Sequence, residues 1–154
     1  FAEDACLYMS HRILHCKSKY LPLYQNIHKW HHSFVHPVSI SGSYVHPIEF
    51  ITSGILPSFS GLLILGKNIH LFTGMVWGFI RLIEAVDGHS GYEFPWMMFR
   101  LLPFGVDATY HNFHHTKNVG CYSSTLTLWD NVFDANDEFY KVYGNERYEK
   151  ADKK

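Results

Sequence analysis

The sequence predicts an all-α fold, an integral-membrane helical hairpin carrying a helical cap. Three observations predict it. Histidines recur at three- and four-residue spacing, two long uncharged runs flank a short polar turn, and proline or glycine separates the periodic stretches. The chain has 154 residues, enough for one domain with its own core, and a formal net charge of −1. Such a near-neutral chain has no basic footprint, so nucleic acid is not an expected partner. With 17% aromatic residues it does not read as disordered. The anomaly is 12 histidines, nearly as many as the 13 lysines and arginines together.

Residues 2–20 read as a first helix, with Glu3 and Asp4 in the turn where the helix dipole favours acids. Pro22 breaks it, because proline cannot continue the hydrogen-bond ladder. Leu23 to His32 reads as a second, shorter helix, and His36-Pro37, Ser41-Gly42 and His46-Pro47 punctuate the loop after it. Residues 50–66 and 68–80 contain no charged side chain, and Gly66-Lys67-Asn68 is the turn between them. Seventeen helical residues span roughly 25 Å, close to the ~30 Å hydrocarbon core of a bilayer. The membrane hairpin is therefore placed at about residues 48–86, with Pro57 and Gly61 kinking its first arm. Arg81 and Glu84 fall where the second arm regains the interface, and a long arginine can snorkel there. A buried pair of soluble helices is the alternative.

Residues 95–103, bounded by Pro95 and Pro103 and carrying Trp96, Met97, Met98, Phe99 and Arg100, have an interfacial composition. Asp107 to Thr116 reads as another helix. Residues 134–154 hold 11 of the chain's 27 charged side chains and read as a solvated tail, which leaves residues 1–133 as the catalytic domain. Cys6, Cys16 and Cys121 are too few and too scattered for a disulfide framework, so a reducing compartment is expected. The chain opens on Phe1 with no signal-peptide pattern and reads as a fragment of a longer protein.

Eight histidines form three groups: His11 and His15; His28, His31 and His32; His111, His114 and His115. Positions three and four apart share a helix face, so each group should present its imidazoles in one direction. A lone histidine on an apolar face is ordinarily a hydrogen-bonded core residue. Three groups with helical spacing, two of them identical in pattern, point instead to a shared ligand role. Imidazole nitrogen suits zinc, iron, copper and nickel. The second group precedes the hairpin and the third follows it; a hairpin returns the chain to the side it left, so all three meet on one membrane face. No group holds the internal glutamate of an H-E-x-x-H zinc protease. A structural zinc closes with four ligands and would leave half of these histidines idle, whereas an all-nitrogen dinuclear site with open positions suits dioxygen chemistry.

His11-Arg-Ile-Leu-His15, His28-Lys-Trp-His31-His32 and His111-Asn-Phe-His114-His115 resemble the three histidine boxes of the membrane-bound fatty acid hydroxylase superfamily. Tyr44-Val-His46-Pro47-Ile-Glu49, Asp87-Gly-His89-Ser-Gly-Tyr92-Glu93-Phe-Pro95 and Gly120-Cys-Tyr122 through Trp129-Asp130-Asn-Val-Phe133 resemble its sterol C-4 methyl oxidase branch. The resemblance runs from about Glu3 to Phe133. It implies a multi-pass endoplasmic-reticulum membrane protein with two non-haem iron ions in a cytosol-facing cap. It also implies dioxygen as co-substrate and electrons from NAD(P)H through cytochrome b5 or a reductase. The reaction would be stepwise oxidation of a sterol C-4 methyl group, through alcohol and aldehyde to carboxylate. Sterol, membrane lipid, a C-4 decarboxylase and other sterol-synthesis enzymes are the implied partners.

The eight box histidines carry over as iron ligands. His89 is added as a ninth, since related hydroxylases place a further H-x-x-x-H group here and it lies on the same side as the boxes. Glu93, four residues on, is a ligand or a partner orienting an imidazole, and His46 is a possible contact of the site. His36 and His46, each before a proline, read as turn or pocket-wall residues, and His70 reads as structural. Trp30, Tyr44, Tyr92, Trp96, Phe113 and Tyr122 are available to wall an apolar slot. The alternatives are a sterol desaturase or other lipid hydroxylase, a non-redox histidine-rich membrane zinc-binding or transport protein, and a module whose metal is inert.

Overall fold

A computed structural model describes residues 1–144. Among them the regular structure is helical throughout: α1 (Ala2–Leu14), α2 (Leu23–Asn26), α3 (Pro47–Glu49), α4 (Leu56–Leu65), α5 (Leu71–Gly88), α6 (Ala108–Lys117), α7 (Leu128–Val132) and α8 (Asp137–Tyr143). One isolated antiparallel bridge joins Gly105 to Leu126.

The buried stripe of α1 is Asp4, Tyr8, His11 and Leu14, the helical four-three-three repeat, but half of it is polar. The helix ends at Leu14, six residues short of the expected limit. After it, Lys17, Lys19 and Tyr20 are exposed, so no apolar face draws another turn inward. The chain instead reverses, and the Tyr24 N–H donates to the Cys16 carbonyl. The expected helix over 23–32 divides into α2 and a 3₁₀ helix, His28–Ser33. There the rings of His28, His31 and His32 are all buried, and tertiary demand for those three directions overrides α-helical spacing.

Pro47–Asn68 is a continuous helix, long and apolar enough to cross a membrane. Near its start is a π-helical segment, Phe50–Ile55, which ends two residues before Pro57. The proline ring collides with the carbonyl four residues back, and widening the preceding turn relieves that collision. A 3₁₀ turn at Gly66–Asn68 leads into α5. The Trp77 indole N–H of α5 donates to the Ser58 carbonyl of α4 at 3.0 Å. Leu63, Ile64, Leu71, Phe72 and Phe79 face outward.

Arg81 does not snorkel. Its side chain is only 11% exposed, paired with Glu3 of α1 (2.9 Å) and Glu84, and donates to Thr125 and Ser124. Asp4 accepts from the backbone N–H groups of Thr125 and Leu126 (3.2 Å each). These contacts fix α1, α5 and the 123–127 loop to one another. The other core cluster is Val106, Tyr110, Phe113 and Cys121, against which Phe139 of α8 packs. Residues 134–143 therefore complete the fold rather than trail from it, Asn136 being 3% exposed. The rest of the charged tail lies outside the described residues. In the 95–103 segment, Trp96, Met98, Leu101 and Leu102 are exposed around a short 3₁₀ turn.

Candidate metal centre

Asp107 caps α6, its Oδ1 accepting the Tyr110 N–H at 2.8 Å, so this helix starts where the sequence indicates. It ends at Asn118, which takes a left-handed conformation with φ 54° and donates its N–H to the His114 carbonyl. His111, His114 and His115 thus project from one rigid helix. Opposite stand His11 and His15 at the end of α1, the 28–33 turn, and His89 at the C-cap of α5.

These nine imidazoles form two groups. His11, His15, His28, His32 and His114 make one; His31, His89, His111 and His115 make the other; the ring nitrogens within each lie within 4.8 Å of one another. The division corrects the expectation that each box points one way. His28 and His32 enter the first group while His31 crosses to the second; His111 and His115 enter the second while His114 crosses to the first. On an α-helix residues four apart differ by about 40° and adjacent residues by about 100°, so His114 and His115 must diverge.

The contacts within each group fit a cation. In the first, Nε2–Nε2 separations are 3.1 Å for His11–His28, His28–His32, His32–His114 and His114–His15. In the second they are 3.3 Å for His31–His89, 2.9 Å for His89–His111 and 3.1 Å for His111–His115. A neutral imidazole nitrogen offers one proton or one lone pair, in one direction, so each joins a single hydrogen bond. Five such atoms make at most two bonds among themselves, not four; four make two, not three. A metal ion accepting every lone pair satisfies all of them. Imidazole–metal bonds of about 2.0–2.1 Å at right angles place neighbouring nitrogens roughly 2.9 Å apart, near the spacings seen.

The opposite ring edges fix the tautomers. Nδ1 of His11 meets the Tyr122 carbonyl (2.8 Å), His114 the Gly120 carbonyl (2.6 Å), His115 the Phe34 carbonyl (3.0 Å) and His89 the Ala85 carbonyl (2.8 Å). Each ring donates at Nδ1 and keeps Nε2 bare, toward the group. His28 Nδ1 instead meets Glu49 Oε1 at 2.7 Å. Burial holds the rings neutral, as ligation requires: it lowers His11 to about 4, His28 to about 2 and His115 to about 3, and neighbouring imidazoles lower His15, His31, His32, His111 and His114 further.

The carbonyl-bearing loop is itself held. Fully buried Asp130 accepts the Tyr122 and Ser123 N–H groups and the Tyr110 hydroxyl at 2.8–2.9 Å. Gly120 has φ +57°, and a Cβ there would strike the Ala135 carbonyl. Gly42 lies against the His89 ring, where a Cβ would come within 3.0 Å of Nδ1. Tyr24 and Tyr122 enclose the first group, which is wholly buried; His89 and His111 of the second are partly open.

Other expected residues lie elsewhere. Glu93 belongs to neither group: its carboxylate accepts the Thr109 N–H (2.5 Å) at the start of α6 and pairs with Arg100 at 3.3 Å. His46 caps the Pro47 helix by accepting the Ile48 N–H, and its ring meets Trp30. His70 caps α5 in the same way. Phe113 is core, Tyr122 adjoins the first group, and Trp30, Tyr44, Tyr92 and Trp96 are exposed. Glu49 was missed as a site residue, although a lone carboxylate opening an uncharged 17-residue run is a visible signal.

Fold and site together define an all-helical protein that gathers nine imidazoles into two metal-competent groups. The chain belongs to the fatty acid hydroxylase family, whose model matches residues 1–135. It is 42% identical over 134 residues to the methylsterol monooxygenase erg25B of Aspergillus fumigatus, covering 86% of this chain and 44% of that protein. It is 37% identical over 150 residues to methylsterol monooxygenase 1 of Danio rerio, covering 97% and 49%. With the C-4 methylsterol oxidase erg25 of Schizosaccharomyces pombe it shares 34% over 159 residues, covering 100% and 52%. The chain thus spans about half the length of the curated relatives it matches. No solved structure matches it.

Proposed function

We propose that this chain is the metal-binding catalytic part of a methylsterol monooxygenase, which oxidises a sterol C-4 methyl group to the carboxylate. The observation that carries the reading is the convergence of nine neutral imidazoles, in two groups, in a chain similar to three proteins named for that activity. His11, His15, His28, His32 and His114 hold one non-haem iron; His31, His89, His111 and His115 hold the other. The bound iron pair supplies dioxygen activation with electrons delivered from outside, by NAD(P)H through cytochrome b5 or a reductase. The chain's own residues do the rest. Carbonyls of Gly120, Tyr122, Phe34 and Ala85 keep the protons on Nδ1, Glu49 does so for His28, and Tyr24 and Tyr122 exclude water from the first group.

The two long helices form the membrane hairpin, with the histidine-bearing elements as a cap on the cytosolic face of the endoplasmic reticulum. The outward apolar side chains of Pro47–Asn68 and α5 support that placement. A C-4 decarboxylase would consume the carboxylate product.

The test is complementation. The full-length protein, expressed in yeast lacking its own C-4 methyl oxidase, should clear the accumulated 4,4-dimethyl sterol. Persistence of that sterol at normal expression, with the electron-transfer chain intact, would overturn the reading.

A further inference from the structure

A cleft of about 270 Å³ opens along the C-terminal turns of α5. Leu82, Val86, Phe94 and Met97 give it apolar walls, with Ser39, Asp87 and Ser90 as its polar members. Asp87 is 8% exposed, and its Oδ1 is buried with no hydrogen-bond partner among the described residues. The Ser90 N–H serves the Asp87 main-chain carbonyl, and the Ser90 hydroxyl is taken up by Tyr92. An unmet carboxylate oxygen in an apolar cleft is costly unless something donates to it. Along the chain Asp87 lies two residues before His89 and Ser90 directly after it; the His89 Nε2 lies 2.9 Å from that of His111, and these two rings are the partly open members of their group.

We propose that this cleft binds the substrate's single hydroxyl, with the Asp87 carboxylate as its acceptor, a subsite that rests on the methylsterol reading above. A sterol carries one hydroxyl, at C-3, adjacent to the carbon that bears the reacting methyl groups. Holding that hydroxyl at Asp87 keeps the ring that bears the methyl group at the C-terminal end of α5, the end from which His89 projects. The cleft is too small for a whole sterol and takes the ring that bears the hydroxyl. Leu82 and Val86 line the cleft and are also exposed, so the rest of the molecule continues along the outer face of α5. The charges select the ligand class. Asp87 has Glu93 and Asp107 as charged neighbours against Arg100 alone, and Arg100 is paired with Glu93. An alcohol O–H can donate to the Asp87 carboxylate, whereas an ionised fatty-acid carboxylate has no proton to donate to it.

The experiment uses the full-length protein in detergent, as wild type, Asp87→Leu and Asp87→Asn. The probes are a 4,4-dimethyl-3-hydroxysterol and its 3-O-methyl ether, which keeps the shape and loses the donor. Kd, kcat/KM and metal content are measured for each. The wild type should prefer the alcohol by roughly 10- to 100-fold, the range of a hydrogen bond to a charged group. Asp87→Leu should bind alcohol and ether alike, near the wild-type value for the ether, with metal content unchanged. Asp87→Asn, which keeps an acceptor without the charge, should fall between. An undiminished preference in either variant overturns the subsite, as does an equal loss for both sterols accompanied by loss of metal. If the metal-replete wild type oxidises neither sterol, the methylsterol reading falls and the subsite with it. If it oxidises the alcohol while the variants keep the preference, the subsite alone falls.

Discussion

His28 is the imidazole of the nine whose outer nitrogen meets a carboxylate, Glu49 at 2.7 Å, where four others meet backbone carbonyls. A carboxylate raises ligand basicity more than an amide carbonyl does, so Glu49→Gln should weaken retention of one ion by about 10- to 100-fold in a chelator competition. An unchanged chelator profile would contradict that role. His31→Ala and His114→Ala each remove a ligand from a different group, and each should abolish sterol oxidation. Near-normal turnover in either variant counts against the ligand assignment. Gly42→Ala is subtler, since the new methyl would press on the His89 ring. It should lower turnover while leaving Tm within a few degrees, measured on the same preparation.

At the scale of elements, the outer loop matters as much as the helices. Asp130 holds two N–H groups and one hydroxyl, and that loop supplies the carbonyls facing His11 and His114. Asn offers a single acceptor oxygen, so Asp130→Asn leaves at least one buried donor unmet, at a cost of about 1–3 kcal/mol. Thermal unfolding should shift down by roughly 3–10 °C. An unshifted Tm would show that the loop is held by other contacts. The helix bearing His111 was legible in the sequence because Asp107 is a strong cap and Asn118 a usual stop. The 28–33 turn was not: its 3₁₀ form answers to where three rings must go, a tertiary demand that spacing does not record. Box membership could be read from sequence. The two-and-one division could not, because a face count ignores the divergence of adjacent residues.

For the whole molecule, composition misled in one place and informed in another. The tail beyond residue 134 averages as charged, yet Phe139 packs on the core while Asp137, Glu138 and Lys141 meet solvent, an amphipathic pattern too short to stand out. Arg81 looked interfacial because its carboxylate partners are spread over the sequence: Glu3 lies on α1, far from Glu84. The histidine excess pointed correctly to a concentrated set. Its burial also sets a pH limit. His11, His115 and His28 are held neutral down to about 4, 3 and 2, whereas unfolded histidine titrates near 6.5. The unfolded chain therefore binds more protons between those values. Below about pH 6.5 the metal-free protein should lose about 1.4 kcal/mol per pH unit for each such histidine as pH falls, an effect that Glu49, pushed up to about 8 by burial, offsets for one of them. A denaturation midpoint that stays flat from pH 7 to 5 would contradict the buried, neutral centre.

The central claim is that nine imidazoles hold two ions in separable groups, and the direct measurement is iron per chain in purified full-length protein. The wild type should carry two. His15→Ala, which touches only the five-membered group, and His111→Ala, which touches only the four-membered one, should each retain about one. One ion or none in the wild type, or loss of both ions from each variant, would contradict two independent centres.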